Sequence, residues 1–478
     1  MAAEASSPRA IRFGSGGWRG PLAEEITLPR VRVAVRAIAA FLEESGAEGP
    51  VLVAHDRRFL GPRLAAEAEA VLRAAGRRVL LVEGTTATPV VAWSAPRRRV
   101  ALALVFTASH NPPEDHGLKL HGPDGASLSA DATRRIEALA AEALASPSED
   151  PLAARSAPAG RAVDLRTRYL EALGRELDRR ALARGRMSVV YDALHGAGAG
   201  CLDAVLRHAG VRVTTLHGEA DPTFGGVAPD PTPERLVALR AAVRRAGRSA
   251  LGLATDGDGD RLAAVDGDGR VLGEHELLAL LVDHAAATGR IRRGVALSIA
   301  SGSFVSRVAA LHGLSASSRP MGFRQLAAEI DAGRADAAGD ESGGFCLARF
   351  SRDKDGLLAG CLLAEQVALS RRPLRARLRE LERAVGPSPW KRFSVPATAS
   401  CVAALEALHT APPERLAGAA VREADHESGL RLRFDDGFVL VRASSTEPRI
   451  RLYVEAGSEA RVERRARAML RRIGARSG

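Results

Sequence analysis

Lysine is nearly missing from this 478-residue chain: among 68 basic residues the lysines are Lys119, Lys354 and Lys391. Arginine is therefore the default cation, and a lysine that persists suggests a position where guanidinium would not serve. Lysine can surrender its proton when its surroundings lower its pKa, and arginine cannot. Aromatic residues are also scarce, at 4%. No RNP-like aromatic pattern, zinc finger or basic tail accompanies the net charge of +11, so nucleic acid is not an expected partner. The arginines are spread along the chain, which suits an anionic small substrate equally well. The four cysteines, Cys201, Cys346, Cys361 and Cys401, form no CxxC pair and lack companion histidines at zinc spacing. They argue against structural zinc and favour buried free thiols in a reducing cytoplasm. Apolar runs fall short of the roughly 18 residues a membrane span needs. Residues 1–10 carry no apolar signal core, so a cytoplasmic protein without membrane contact is expected.

What is present is alternation. Short apolar runs at 51–54, 79–82 and 100–106 flank an Ala-rich helical stretch at 61–75. The pattern recurs with strands at 188–191, 211–215 and 251–255, and again with a strand at 295–299 and helices beginning near Phe304, Phe323 and Leu357. A stretch rich in Ala, Ser and Pro at 145–162 reads as a linker. Beyond the proline-containing junction at 386–396 the character changes. One helix near 403–409 precedes strands at 430–434, 438–442 and 449–454. Such a chain is too long for one core, and the pattern predicts three similar α/β units with parallel or mixed sheets, then a smaller α+β unit.

Four polar motifs interrupt this pattern, three of them where strands end and ligands of open α/β sheets normally sit. Thr107-Ala108-Ser109-His110-Asn111-Pro112-Pro113 precedes Gly117-Leu118-Lys119. A serine leaving a strand, beside a histidine and within reach of a rare lysine, could carry a phosphoryl group; a capped loop is the plainer alternative. The G-x-S-x-G elbow of acyl hydrolases is absent. Asp256-Gly257-Asp258-Gly259-Asp260-Arg261 sets three carboxylates at alternate positions, suited to one hard divalent cation. A calcium-binding EF-hand loop would need glycine sixth and glutamate twelfth, where this chain has Arg261 and Gly267. The nearby Asp266-Gly267-Asp268-Gly269 lies between apolar runs and reads as a hairpin turn. Gly339-Asp340-Glu341-Ser342-Gly343-Gly344 offers acceptors for sugar hydroxyls, although an ordinary turn would look the same. Arg442-Ala443-Ser444-Ser445-Thr446-Glu447-Pro448 combines a guanidinium with hydroxyls and amides, as a phosphate cradle would.

In this order and over this length the motifs resemble the α-D-phosphohexomutase family of phosphoglucomutases and phosphomannomutases. Ile11-Arg12-Phe13-Gly14-Ser15-Gly16-Gly17-Trp18-Arg19-Gly20, Asp221-Pro222-Thr223-Phe224, Met321-Gly322-Phe323-Arg324 and Lys354-Asp355-Gly356 extend the likeness. It implies three similar α/β domains with mixed sheets and a smaller C-terminal α+β domain around a central cleft. The division expected is 9–158, 159–266, 267–386 and 387–478. By position, Ser109 resembles the phosphoserine, and Asp256, Asp258 and Asp260 the Mg²⁺ ligands, a phosphoserine oxygen completing the shell. Lys119, then His110, are the candidate acid/base groups, Arg261 is the candidate charge stabiliser, and Arg19 is expected to orient the serine loop or its phosphate. Asp340, Glu341 and Ser342 fall in the sugar-binding loop, with Asp340 where glutamate is usual. Arg442, Ser444, Ser445 and Thr446 fall in the phosphate grip. The activity implied is interconversion of hexose 1-phosphate and hexose 6-phosphate, with a hexose 1,6-bisphosphate as intermediate and activator. Glucose is preferred over mannose because residues 341–344 and 354–356 look more like the glucose branch. The other function classes consistent with these motifs are a metal-dependent sugar-phosphate phosphatase and a non-catalytic sugar-phosphate binder. A monomer or weak homodimer is expected.

Overall fold

Residues 10–14, 16–145, 162–444 and 449–475 are described by a computed structural model. All but the ends of the expected linker at 145–162, and Ser445 and Thr446, lie outside them. The chain divides into two compact units, one built from residues up to 272 together with 344–373, the other from 273–343 and 374–478.

The first unit holds two sheets. In the first, strands β1 (Trp18–Pro21), β2 (Val51–His55), β3 (Val79–Leu81), β4 (Leu102–Phe106) and β5 (Asp115–His121) lie in the order β1-β5-β4-β2-β3. β2 pairs in parallel with β3 and β4, and the uninterrupted apolar runs of β2 and β4 fit strands covered on both faces. The helix Leu28–Glu44, capped by the Thr27 hydroxyl, buries Val31, Val35, Ile38 and Leu42, a stripe at helical spacing. β5 is not among the strands expected from the sequence. It is a strand antiparallel to both β4 and β1. Its alternation sends Leu118 and Leu120 into the core and sets Lys119 on the opposite face.

The second sheet contains β6 (Ser188–Asp192), β7 (Arg212–Leu216), β8 (Ala250–Thr255) and β9 (Leu262–Val265) in the order β7-β6-β8-β9. The first three are mutually parallel and β9 returns antiparallel to β8. The turn after β9 is a hairpin, as its sequence indicates: Asp266 and Arg270 close it and Gly269 sits at φ +83°. β8 is fully buried and delivers its last residue, Thr255, directly into the aspartate motif. The same unit includes the strand β13 (Phe345–Leu347) and the helix Gly356–Ser370. That helix is apolar nearly all round, and Gly360 allows it to press on Leu202, Leu253 and Leu262.

The second unit contains three parallel strands, β10 (Gly294–Ser298), β11 (Ser315–Arg319) and β12 (Ala337–Gly339), with β10 central. Its C-terminal part begins with β14 (Trp390–Pro396). A short pair, β15 (Arg415–Leu416) and β16 (Ala419–Ala420), then leads into β17 (Glu423–Asp425), β18 (Leu430–Phe434), β19 (Gly437–Ala443) and β20 (Arg449–Glu455). The resulting sheet, β14-β20-β19-β18-β17, is wholly antiparallel. The helices Ala399–Thr410 and Glu459–Arg472 share its core. The expected fold class is found: α/β domains with mixed sheets and a smaller α+β domain. Among the described residues no helix is long and apolar enough to cross a membrane. All four cysteines are buried, and none is in a disulfide.

Candidate active site

The chain leaves β4 at Phe106 and turns at once. The Thr107 hydroxyl accepts the Ser109 amide at 2.8 Å and donates to Asp56 at 2.6 Å. Ser109 takes φ +53°, a left-handed conformation rare for a residue with a side chain. The turn aims its hydroxyl outward from the strand end, and Ser109 Oγ donates to Asp256 Oδ2 at 2.7 Å. The nucleophile candidate of one sheet therefore meets the carboxylates of the other.

The two glycines of the aspartate motif have separate reasons. A Cβ on Gly257 would lie 2.5 Å from the Ser109 carbonyl oxygen, so this glycine permits the close approach of the loops. Gly259 sits at φ +77°, which favours glycine. Alternation around these turns gathers Asp256, Asp258 and Asp260 so that one oxygen of each lies within 4.8 Å of the others. All three are buried, and Oδ1 of both Asp258 and Asp260 accepts no hydrogen bond. Three converging buried carboxylates with orphaned oxygens fit a divalent cation bound through oxygen.

Electrostatics separate the three. Burial, with the charges of Asp260 and Asp258, pushes the Asp256 carboxyl up. Burial also raises Asp258 and Asp260, but in both the nearby cations outweigh it and the net direction is down. Lys119 is the main cause, at 2.6 Å from both Asp258 Oδ2 and Asp260 Oδ2. Lys354 adds a pair to Asp260 at 3.3 Å. Two of the chain's three lysines thus converge on one carboxylate.

The other predicted residues of this unit lie close by. Arg19 on β1 donates to Asn111 in the serine loop at 2.9 Å. Arg261 gives its amide to Asp256 at 3.0 Å, and its guanidinium stands 3.7 Å from Asp230. His110 is buried beside Ser109. In the second unit, Asp340 Oδ1 accepts both the amide and the hydroxyl of Ser342. Burial and the neighbouring Asp340 raise the Glu341 carboxyl, against the Ser298 hydroxyl and the charge of Arg442. Arg442 lies on β19, half-buried against Met321, and Ser444 follows the strand.

One contributor escapes sequence reasoning. Thr88 opens the helix Thr88–Arg98 ahead of Pro89; its amide and hydroxyl hold Asp258 at 2.9 and 2.5 Å, the second to Oδ2. A threonine followed by proline signals a helix start, but nothing local says which loop that start will grip. Asp355 caps the helix after Lys354, and Gly356 lies so close to the aspartate loop that a Cβ would meet the Arg261 carbonyl at 2.4 Å.

Comparison with known proteins places the chain among relatives along nearly its full length. Residues 10–146, 167–269 and 273–384 match phosphoglucomutase/phosphomannomutase alpha/beta/alpha domains I, II and III, and 393–472 match the C-terminal domain. A phosphoglucomutase/phosphomannomutase of Thermococcus kodakarensis is 31% identical, covering 94% of this chain and 95% of its own. A phosphoglucosamine mutase of a Synechococcus strain is 32% identical, with 95% and 93% covered. A crystal structure of a Thermus thermophilus protein superposes with TM-score 0.86 at 30% identity, covering 98% of this chain and all of that one.

Proposed function

The chain belongs to the phosphoglucomutase/phosphomannomutase family of phosphohexomutases, and from that premise we propose that it interconverts glucose 1-phosphate and glucose 6-phosphate through a phosphorylated Ser109. The observation that carries this reading is the 2.7 Å contact between Ser109 Oγ and Asp256. It sets a hydroxyl able to bear a phosphoryl group directly against the carboxylate triad.

Asp256, Asp258 and Asp260 would hold Mg²⁺ together with a phosphoserine oxygen. When bound, the ion neutralises charge on the transferring phosphoryl group. Phosphoryl transfer depends on in-line placement and charge neutralisation more than on covalent chemistry by the protein. The bond from Ser109 Oγ to phosphorus breaks as the bond from the sugar hydroxyl oxygen forms. Lys119 accepts the hydroxyl proton, with His110 the second candidate, Arg261 steadies the oxygen charge, and Arg19 orients the serine loop or its phosphate. The hexose 1,6-bisphosphate then reverses its orientation, its other phosphate returns to Ser109, and a trace of it activates unphosphorylated enzyme. Asp340, Glu341 and Ser342 are assigned to sugar hydroxyls, and Arg442, Ser444, Ser445 and Thr446 to the non-reacting phosphate.

Glucose is preferred on the character of Glu341-Ser342-Gly343-Gly344 and Lys354-Asp355-Gly356, with mannose second. The phosphoglucosamine mutases among the relatives favour a further candidate, glucosamine phosphate. A coupled assay with the three hexose 1-phosphates, Mg²⁺ and a trace of bisphosphate decides between them. Highest kcat/KM with glucose 1-phosphate is the expected result. Stoichiometric release of inorganic phosphate would make the protein a phosphatase, and no turnover of any substrate would make it a binding relative.

A further inference from the structure

Arg58 is among the most deeply buried side chains of the molecule, 2% exposed, in a chain whose arginines mostly face water. A buried guanidinium needs a reason, because charge is costly to remove from water unless it is fully engaged. Its engagement is unusual in kind. Nη2 donates to the carbonyls of Ser109 at 2.7 Å and Asn111 at 2.6 Å, and Nη1 to those of Pro112 at 2.7 Å and Asp115 at 2.9 Å. Three of the partners are main-chain oxygens of the loop that carries the nucleophile candidate, and the fourth is that of Asp115, where the loop enters β5. The Asp56 carboxylate, itself buried, lies 3.5 Å from Arg58 Nε, accepts the Arg58 amide at 2.9 Å and takes the Thr107 hydroxyl at 2.6 Å. Thr107 in turn accepts the Ser109 amide at 2.8 Å. The guanidinium rests on the ring of Phe224, 5.0 Å from its centroid.

We infer that Arg58, acting with Asp56 and Thr107, is the positioning residue that holds Ser109 in its left-handed conformation and fixes the direction of its hydroxyl. Inside this loop the Pro112 carbonyl accepts the Asp115 amide at 3.1 Å, whereas the Ser109 and Asn111 carbonyls are met by the guanidinium, and buried carbonyls must find donors. A planar guanidinium presents its donors in a rigid fork, so four carbonyls bound to one fork are fixed relative to one another. Because both terminal nitrogens are committed to the backbone, Arg58 acts on the reaction through the loop and touches no reacting atom. An ammonium cannot replace it, since three donors radiating from one point cannot span the same four oxygens.

The inference rests on the phosphoserine reading, and the test keeps the two apart. The variants are R58K, R58A, T107V and S109A, each assayed as the full-length Mg²⁺-loaded enzyme with saturating and limiting hexose 1-phosphate. R58K is expected to lose about a hundredfold in kcat, the scale of a small misplacement of a reacting group. Its KM should stay within about twofold of wild type, because no substrate contact is lost. Free guanidinium ion is expected to restore turnover to R58A, an effect that a general loss of stability would not produce. If R58K or R58A fails to fold, T107V must show the same split, since it removes only the hydroxyl that accepts the Ser109 amide. Wild-type kcat in R58K or T107V, a loss confined to KM, or no rescue of folded R58A by guanidinium would overturn the assignment. Inactive S109A beside fully active R58K would defeat the positioning role alone, whereas active S109A would defeat the phosphoserine reading and this inference with it.

Discussion

Replacing Asp355 by asparagine would show how the loop carrying Lys354 is held in place. Asp355 is fully buried. Its two carboxylate oxygens lie 2.8 and 2.9 Å from the Tyr169 hydroxyl, and Oδ1 also accepts the Leu358 amide, capping the helix Gly356–Ser370. Burial pushes its carboxyl from an ordinary 3.8 up to about 6, against the pull of those hydrogen bonds. At roughly 1.36 kcal/mol per pH unit, ionising this group inside the fold therefore costs about 3 kcal/mol. The folded state holds the proton more tightly than the unfolded chain. The stabilisation is therefore fully present below the unfolded value of 3.8 and is lost as pH rises through about 6. Asparagine keeps an acceptor for the helix cap and does not titrate. Urea unfolding of D355N and wild type, followed by tryptophan fluorescence across that window, should show the stability difference moving by about 3 kcal/mol in favour of D355N as pH rises. The ring of Trp93 lies 5.8 Å from that of Tyr169, so its emission reports on this cluster. A difference that stays flat with pH would refute the reasoning.

Three further outcomes are expected. K119R keeps the charge beside Asp258 and Asp260 but cannot give up a proton, so kcat should fall by about 10² to 10⁴; full activity would dismiss Lys119 as the acid/base group. R442A removes a charge-assisted hydrogen-bond donor, and KM for hexose phosphate should rise about tenfold to a hundredfold at little change in kcat; an unchanged KM would tell against its role in gripping phosphate. T88V deletes the hydroxyl that holds Asp258 at 2.5 Å. Calorimetric titration with Mg²⁺ should show affinity about tenfold or more weaker, and wild-type affinity would leave Thr88 without a part in the metal site.

The parts of the fold that were readable from sequence are those where a local pattern and a tertiary requirement coincide. β8 runs apolar into an alternation of aspartate and glycine, and both features serve the site, the strand by delivering the loop and the glycines by letting it turn and be approached. The Asp266–Gly269 turn was separable from the metal motif because apolar runs flank it. What stayed hidden is what long-range packing decides. Gly117 and the short alternation around Lys119 give little sign of a strand; pairing with both β1 and β4 makes one there. Thr88 and Asp258 are 170 positions apart, and no property of either announces the other. Arg58 is one arginine among many in a chain that uses them everywhere, and only burial distinguishes it.

The most direct measurement follows the phosphoryl group itself. Enzyme incubated with hexose 1,6-bisphosphate bearing labelled phosphate should become labelled on Ser109 alone, as located by peptide mass spectrometry, and should pass the label to hexose monophosphate on further turnover. S109A should take up none. Full turnover with an unlabelled protein, or label on His110 in place of Ser109, would contradict the claim that this hydroxyl carries the transferred group.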